Sequence, residues 1–321
     1  MAKKCRRILC VLALLLSLST QAYAAQQLVP VGKTIGIELQ TQQVTVVGFS
    51  DTVHAAQTAG IKKGDIVEKI DDVAIHRASE ISERLGKTGA PVKITVRRGD
   101  RRQEFLVEPE QAEGDRRLGI YVRDSLAGIG TVTYYDPETG EFGALGHGVN
   151  DTETAQLVPM EEGRVVSSRV VRVEKSKQGQ PGALRGALDS VTIGTVTSNT
   201  ASGLFGTLDT FVAENAPIPV AQSSEITVGD ATILSNVSGT QTESYTVRIE
   251  QIMGDDAQGR NLLLHVTDQK LIDQTGGICQ GMSGSPILQN GKLVGAVTHV
   301  LVSDPTMGYG IFIENMLNAA A

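Results

Sequence analysis

The chain has 321 residues, enough for two domains, with 35 glycines, no tryptophan and only 4% aromatic residues. Abundant Val, Ile and Thr beside so many glycines point to β structure with many turns and argue against a helical bundle. The formal charge of −7 becomes −11 without Lys3, Lys4, Arg6 and Arg7, and no basic stripe is left to meet phosphates, which excludes a nucleic-acid-binding role.

Lys3 to Arg7 make a positive start, Ile8 to Leu18 an apolar run, and Ala22-Tyr23-Ala24 a pattern of small residues suited to cleavage. Residues 1–24 therefore read as a signal peptide, or as an N-terminal membrane anchor if retained. The run is short for a bilayer span, and no later segment is apolar for long enough to make one. Cys5 and Cys10 lie inside this segment, which leaves Cys279 as the single cysteine of the mature chain and excludes an intramolecular disulfide. Cys279 itself reads as a small buried residue.

Residues 31–108 read as a compact first domain. Val44 to Phe49 is a strand run, and Ala59 to Val67 turns through two glycines into a second strand that ends at the Asp71-Asp72 turn. Ala78 to Leu85 has helical spacing, with Ile81 and Leu85 on one face. Val92 to Arg97 alternates at period two, as Glu104 to Val107 does more loosely. The arginines 97, 98, 101 and 102, split by Gly99-Asp100, read as a solvated hairpin turn. Gly60 to Val67, Ile70 to Val73 and Ile35 to Leu39 resemble a PDZ domain of the bacterial protease type. That resemblance implies that Ile35, Gly36 and Ile37 receive the C-terminal carboxylate of a peptide, which adds as a strand to an open edge.

Residues 109–117 are polar and read as a linker. From 118 to 321 short strand-like runs follow one another between glycines, as in Ile129 to Tyr135, Val165 to Val173, Val191 to Val196, Tyr245 to Ile249, Leu262 to Val266 and Leu293 to Val297. These predict a barrel or sandwich, with one terminal helix over Ile313 to Ala320.

The chemistry centres on Gly281-Met282-Ser283-Gly284-Ser285-Pro286. Flanking glycines leave the Ser283 hydroxyl uncrowded and let backbone amides converge, so the N–H groups of Gly281 and Ser283 are candidates for an oxyanion hole. By itself this short pattern also fits an ordinary turn.

A serine nucleophile needs a base, and the five histidines offer a short choice. His54 and His76 read as surface residues and His265 as a strand residue, half-buried. His147, in Gly143-Ala144-Leu145-Gly146-His147-Gly148, is framed by glycines and is the leading candidate, with His299 as its rival. Asp268, at a strand end 15 residues before Ser283, is the candidate to orient the base; Asp151, Asp189, Asp273 and Asp304 compete with it. No spacing suits a metal, nucleotide or dinucleotide, so neither metal nor other cofactor is expected. Asp255-Asp256-Ala257-Gln258-Gly259 reads as a hairpin turn more simply than as a cation loop.

Three segments together resemble the SpoIVB peptidases: Gly143 to Gly148, Gly276 to Pro286 and Gly295 to Val300, extended by Asp304 to Thr306 and Gly308 to Ile311. Export segment, PDZ domain and peptidase domain occur in the family's order. The resemblance implies a mainly β fold: a small PDZ domain, then a chymotrypsin-like β-barrel serine peptidase with Ser283 as nucleophile, His147 as general base and Asp268 as orienting acid. Chymotrypsin-like enzymes generally place that acid much further ahead of the serine, so Asp189 stays open. Met282 and Ser285 depart from the aspartate and glycine usual around such a serine.

The family's role implies an endopeptidase exported across the forespore inner membrane into the intermembrane space. There it cleaves a membrane-bound regulator of an intramembrane protease, so that the late mother-cell sigma factor is activated. Self-cleavage is implied too, with the PDZ domain docking the chain's own N-terminal region or a partner's terminus. The rival readings are a non-catalytic PDZ adaptor with a degenerate protease-like domain, and a secreted esterase.

Overall fold

The computed structural model describes residues 26–87, 91–152, 155–209, 214–254 and 259–321, with backbone alone at Gln42. The export segment and Asp255 to Gln258, read from the sequence as part of a hairpin turn, lie outside the described residues. None of the described helices is long and apolar enough to cross a membrane.

Strands dominate, as the composition requires. In chain order they are β1 (Gln27–Pro30), β2 (Thr34–Phe49), β3 (Ile66–Ile70), β4 (Val73–Ala74), β5 (Val92–Arg98), β6 (Arg101–Val107), β7 (Glu110–Ala112), β8 (Asp115–Arg117), β9 (Ile120–Tyr135) and β10 (Glu141–Ala144). After these come β11 (Met160–Glu174), β12 (Ala183–Thr200), β13 (Gly203–Leu208), β14 (Ile218–Pro219), β15 (Gly229–Ser238) and β16 (Gln241–Ile252). The last are β17 (Leu262–Val266), β18 (Pro286–Gln289), β19 (Lys292–Val300) and β20 (Met307–Phe312). The helices are α1 (Ala55–Ala59), α2 (Ala78–Lys87), α3 (Gln269–Thr275) and α4 (Ile313–Ala320).

Two closed barrels stand side by side. In the first, β9 pairs with β10, β10 with β13, β13 with β12, β12 with β11, β11 with β2, and β2 again with β9. Its interior is filled by Ile35, Ile37, Leu39, Val132, Phe142, Val165 and Leu204, alternate residues of strands that bend inward. The second barrel runs β15-β16-β17-β20-β19-β18 around Ile233, Tyr245, Ile249 and Leu264. Leu28, Tyr134, Phe205, Ala296, Ile311 and Met316 form a separate apolar cluster that joins strands of both barrels to α4. Each such side chain, fully buried, contributes roughly 1.5 to 3 kcal/mol. This is the chymotrypsin-like architecture, preceded by a PDZ-like region, so the mainly β fold holds.

The PDZ core comprises Val44, Val46, Ile61, Ile70, Ile81, Leu85, Ile94, Val107 and Leu118. On α2, Ile81 and Leu85 are the buried face, and the Glu80 carboxylate closes the helix start by accepting from the N–H groups of His76 (2.7 Å) and Arg77 (3.1 Å). Those amides, His76 first, hold the Glu80 carboxyl below the usual range. The arginine cluster does form the β5–β6 hairpin, but three of its members are engaged: Arg98 grips the buried Asp65 through two bonds of 2.6 Å, while Arg97 and Arg102 pair with Glu68.

The domain division differs from the sequence reading. The barrel does not begin at 118, because residues 34–41 of β2 belong to it, while 44–49 belong to the PDZ core. β9 is divided likewise: residues 120–123 pair with 45–49, and 125–131 with 34–40. The PDZ-like region is thus carried on a two-stranded ribbon that runs out of the first barrel. The polar segment 109–117 is a hairpin, β7 against β8.

Candidate active site

Ser283 and His147 line one cleft of about 550 Å³, together with Gly281, Cys279, Thr298 and His299. Ser283 enters from the second barrel, in the turn between α3 and β18. His147 enters from the first barrel, in the turn after β10. That turn is tight: Leu145 (φ 70) and Gly146 (φ 68) are both left-handed. For leucine this is a costly backbone, and such strain gathers at functional sites. A Cβ on Gly146 would sit 3.0 Å from Thr298 Cγ2 and Ile311 Cγ2, so the histidine turn is pressed against β19 and β20 of the other barrel.

The Ser283 turn is fixed by its own backbone. Gly284 has φ 97, and a Cβ there would lie 2.0 Å from Thr131 O and 2.6 Å from Leu145 N. Only glycine lets the turn lie this close to β9 and to the histidine turn. The N–H groups of Gly281 and Ser283 have no acceptor among the described residues. Unpaired amides in a cleft wall are what an oxyanion hole requires.

The Ser283 hydroxyl donates to Thr298 O at 2.7 Å, and His147 Nδ1 faces Gly148 O at 2.9 Å. No bond joins the serine to the histidine. With Nδ1–H donating to the Gly148 carbonyl, Nε2 keeps its lone pair. Burial pushes the His147 ring below the ordinary imidazole range, partly offset by the Gly148 carbonyl, which keeps it neutral near pH 7. His299 is 5.1 Å from His147 between ring centroids, tilted by 37°. Its own basicity is lowered by desolvation first, then by His147 and Arg260. Burial also pushes the Cys279 thiol up to about 12, leaving it an inert core residue.

Asp268 does not join these groups. It is the N-cap of α3: Oδ1 accepts from Leu271 N (3.1 Å) and Oδ2 from Thr246 N (3.2 Å). Both oxygens are committed to backbone amides, which explains its place at a strand end better than a catalytic role does. The other carboxylates are also elsewhere. Asp189 is exposed on β12, Asp151 pairs with Arg123, Asp273 accepts from Gln269, and Asp304 closes a turn with Thr306. Among the described residues no carboxylate lines the cleft. Among the described residues no cluster could hold a metal ion.

The peptide-binding expectation also moves. Ile35, Gly36 and Ile37 lie in β2 with β9 on one side and β11 on the other, so no edge is open for an added strand. Ile35 and Ile37 are buried in the first barrel instead. An open edge occurs at Leu118-Gly119-Ile120-Tyr121-Val122. There β9 pairs with β2 on one side, and a groove of about 460 Å³ separates it from α2 on the other, lined by Ile81, Ser82, Leu85, Leu118, Ile120 and Val122. The Leu118 and Gly119 N–H groups have no acceptor among the described residues. Gly119 is left-handed (φ 74), and a Cβ there would meet Val53 O at 2.1 Å. Ile35-Gly36-Ile37 and Leu118-Gly119-Ile120 share one local pattern, so only strand pairing tells them apart.

The sequence pattern of the SpoIVB peptidase S55 family matches residues 114–317. The chain belongs to the SpoIVB peptidase family. It is thereby a member of the serine protease superfamily. A PDZ pattern matches residues 34–108, beginning in the barrel strand and ending before the open edge at 118. No curated protein matches the chain. Among solved structures, this SpoIVB peptidase is similar to the inactive form of the Rv3671c protease, at 16% identity over 61% of this chain and 85% of that one, TM-score 0.34. The active form of the Rv3671c protease from M. tuberculosis is 15% identical over 62% and 73%, TM-score 0.34. The HtrA-type protease AlgW with decapeptide is 13% identical over 65% and 54%, TM-score 0.35.

Proposed function

We propose that the chain is an exported serine endopeptidase with Ser283 as nucleophile and His147 as general base. The observation that carries this reading is the convergence of Ser283, His147 and two unpaired amides on one cleft between the barrels. In the reaction, Ser283 Oγ turns from Thr298 O towards the substrate and bonds the scissile carbonyl carbon, while its proton passes to His147 Nε2. The carbonyl oxygen takes up the negative charge beside the Gly281 and Ser283 N–H groups. Collapse breaks the C–N bond, the amine leaves with the proton from His147, and water then hydrolyses the acyl-enzyme. The Gly148 carbonyl fixes the histidine tautomer, the task a carboxylate performs in a full triad.

Family membership supports a role in intercompartmental sporulation signalling. The substrate would be a membrane-bound regulator of an intramembrane protease, met in the space outside the forespore inner membrane, with self-cleavage accompanying it. Docking of a free C-terminus is assigned to the groove between β9 and α2, where Leu118 and Gly119 offer amides to a carboxylate. The test is digestion of unfolded casein by the mature chain and by Ser283→Ala. Cleavage by the first alone is expected. Equal cleavage by both, or turnover of small acyl esters without peptide cleavage, contradicts the proposal.

A further inference from the structure

We propose that Arg260, with His299 beside it, forms a specificity-determining subsite for the carboxylate of a substrate Asp or Glu close to the scissile bond; this rests on the reading of Ser283 as nucleophile. β19 carries Thr298, whose carbonyl holds the Ser283 hydroxyl, and the next residue is His299. The His299 side chain lines the cleft and is exposed there. It lies opposite Tyr309 of β20. Residues directly opposite in an antiparallel pair point to the same face, so imidazole and phenol make one row. The Arg260 guanidinium continues that row, its central carbon over the Tyr309 ring and 5.2 Å from the centroid. Gly259, one residue earlier, lies beside the histidine turn: a Cβ there would sit 3.6 Å from Gly146 O.

Arg260 is a cation without an anion. Among the described residues it makes no ion pair and no hydrogen bond, and its Nε is buried without an acceptor. Buried donors are nearly always satisfied, so one that is not marks the place of a missing partner. The tyrosine face attracts the guanidinium but accepts none of its in-plane N–H groups. By contrast Arg97, Arg98 and Arg102 of the PDZ-like region each hold a carboxylate. The field of Arg260 reaches the cleft: His299 is pushed down to about 4 by desolvation first, then by His147 and Arg260. His299 is therefore neutral near pH 7 and offers an N–H, while Arg260 supplies the charge. A planar guanidinium fits a carboxylate, which it grips through two parallel bonds. None of the described residues lining the cleft is Asp, Glu, Lys or Arg, so Arg260 at its edge meets no rival charge there. Neighbouring strands lie about 4.8 Å apart and an extended peptide advances about 3.3 Å per residue, so a carboxylate at this row is within about three residues of the bond cleaved.

The probes are two mixtures of synthetic octapeptides, random in Ala, Val, Leu, Ser and Thr, one with glutamate fixed at the fourth position and one with glutamine. Cleavage by the mature chain is followed by mass spectrometry, and binding by anisotropy of the fluorescein-labelled mixtures on Ser283→Ala. The mature chain is expected to cleave the glutamate mixture about ten-fold faster or more, with cuts within about three residues of the glutamate. Arg260→Met should bring that ratio to within about two-fold of unity, and Arg260→Glu should reverse it in favour of a lysine mixture. Equal cleavage of both mixtures by the mature chain overturns the subsite, as does an undiminished preference in Arg260→Met. Where a variant does not fold, the wild-type ratio still decides: it must be about ten-fold or more and fall as salt is raised. If the mature chain cuts neither mixture, the peptidase reading fails, and binding decides the subsite on its own. The glutamate mixture must then bind Ser283→Ala about ten-fold more tightly, and equal binding overturns the subsite.

Discussion

Gly284→Ala tests the packing that brings the two barrels' functional groups together. A β-carbon-bearing residue at φ 97 leaves the allowed left-handed well, at a cost of about 1 to 2 kcal/mol. The added carbon would sit 2.0 Å from Thr131 O and 2.6 Å from Leu145 N, both backbone atoms that cannot rotate away. The turn must therefore withdraw by about 1 Å, which stretches Gly284 N→Val297 O (2.8 Å), Thr133 Oγ1→Gly284 O (2.8 Å) and Thr131 N→Ser283 O (3.1 Å). At about 1 kcal/mol for each weakened bond, added to the backbone cost, the loss is about 4 to 5 kcal/mol, a large part of the roughly 5 to 15 kcal/mol that holds a protein folded. Urea unfolding measures the stability and fluorophosphonate labelling the site. Gly99→Ala is the matched control: it is also left-handed (φ 57), but an added carbon meets nothing within 4 Å, so it should cost only about 1 kcal/mol and leave labelling intact. A Gly284→Ala protein within about 1 kcal/mol of wild type, and labelled at the wild-type rate, would refute the close approach.

Four further outcomes follow from the geometry. Because burial lowers the His147 pKa, the ring loses its proton at a lower pH than a free imidazole; the labelling rate should be flat near neutrality and fall only as pH drops below about 6.5, with an inflection beneath that value. The same shift makes stability full above the unfolded imidazole value and diminishing as pH falls through it, readable in urea midpoints. Asp268→Ala removes the cap of α3 and should lower stability by about 1 to 2 kcal/mol, with Asp268→Ser recovering part of it; equal midpoints for all three proteins would contradict the cap. Arg98→Met leaves the Asp65 carboxylate buried without its partner, and urea unfolding should show a loss of about 3 to 5 kcal/mol confined to the PDZ-like region.

Much of the fold was legible because it depends on local pattern. Period-two runs such as Val92 to Arg97, and the Ile81–Leu85 face of α2, appear where the alternation and the four-residue spacing place them. The tight turns at Ser283 and His147 were legible for the same reason, since glycines mark positions that tolerate no side chain. What could not be read was long-range pairing. Ile35-Gly36-Ile37 and Leu118-Gly119-Ile120 look alike locally, but the first is sealed between β9 and β11 while the second keeps an edge open. Asp268 was misread because a strand end followed by a helix start suits a cap as well as a catalytic carboxylate. Thr131 and Thr298 carried no signal at all; buried threonines in strands reveal their partners only when two barrels meet.

In the proposed reaction His147 makes Ser283 nucleophilic across the inter-barrel cleft that both residues line. Labelling of the folded mature chain with a fluorophosphonate, followed by mass spectrometry of the digest, tests it most directly. A single adduct on Ser283, lost in both His147→Ala and Ser283→Ala while each keeps the wild-type urea midpoint, is the predicted result. An adduct on another serine, or undiminished labelling of folded His147→Ala, would contradict the account.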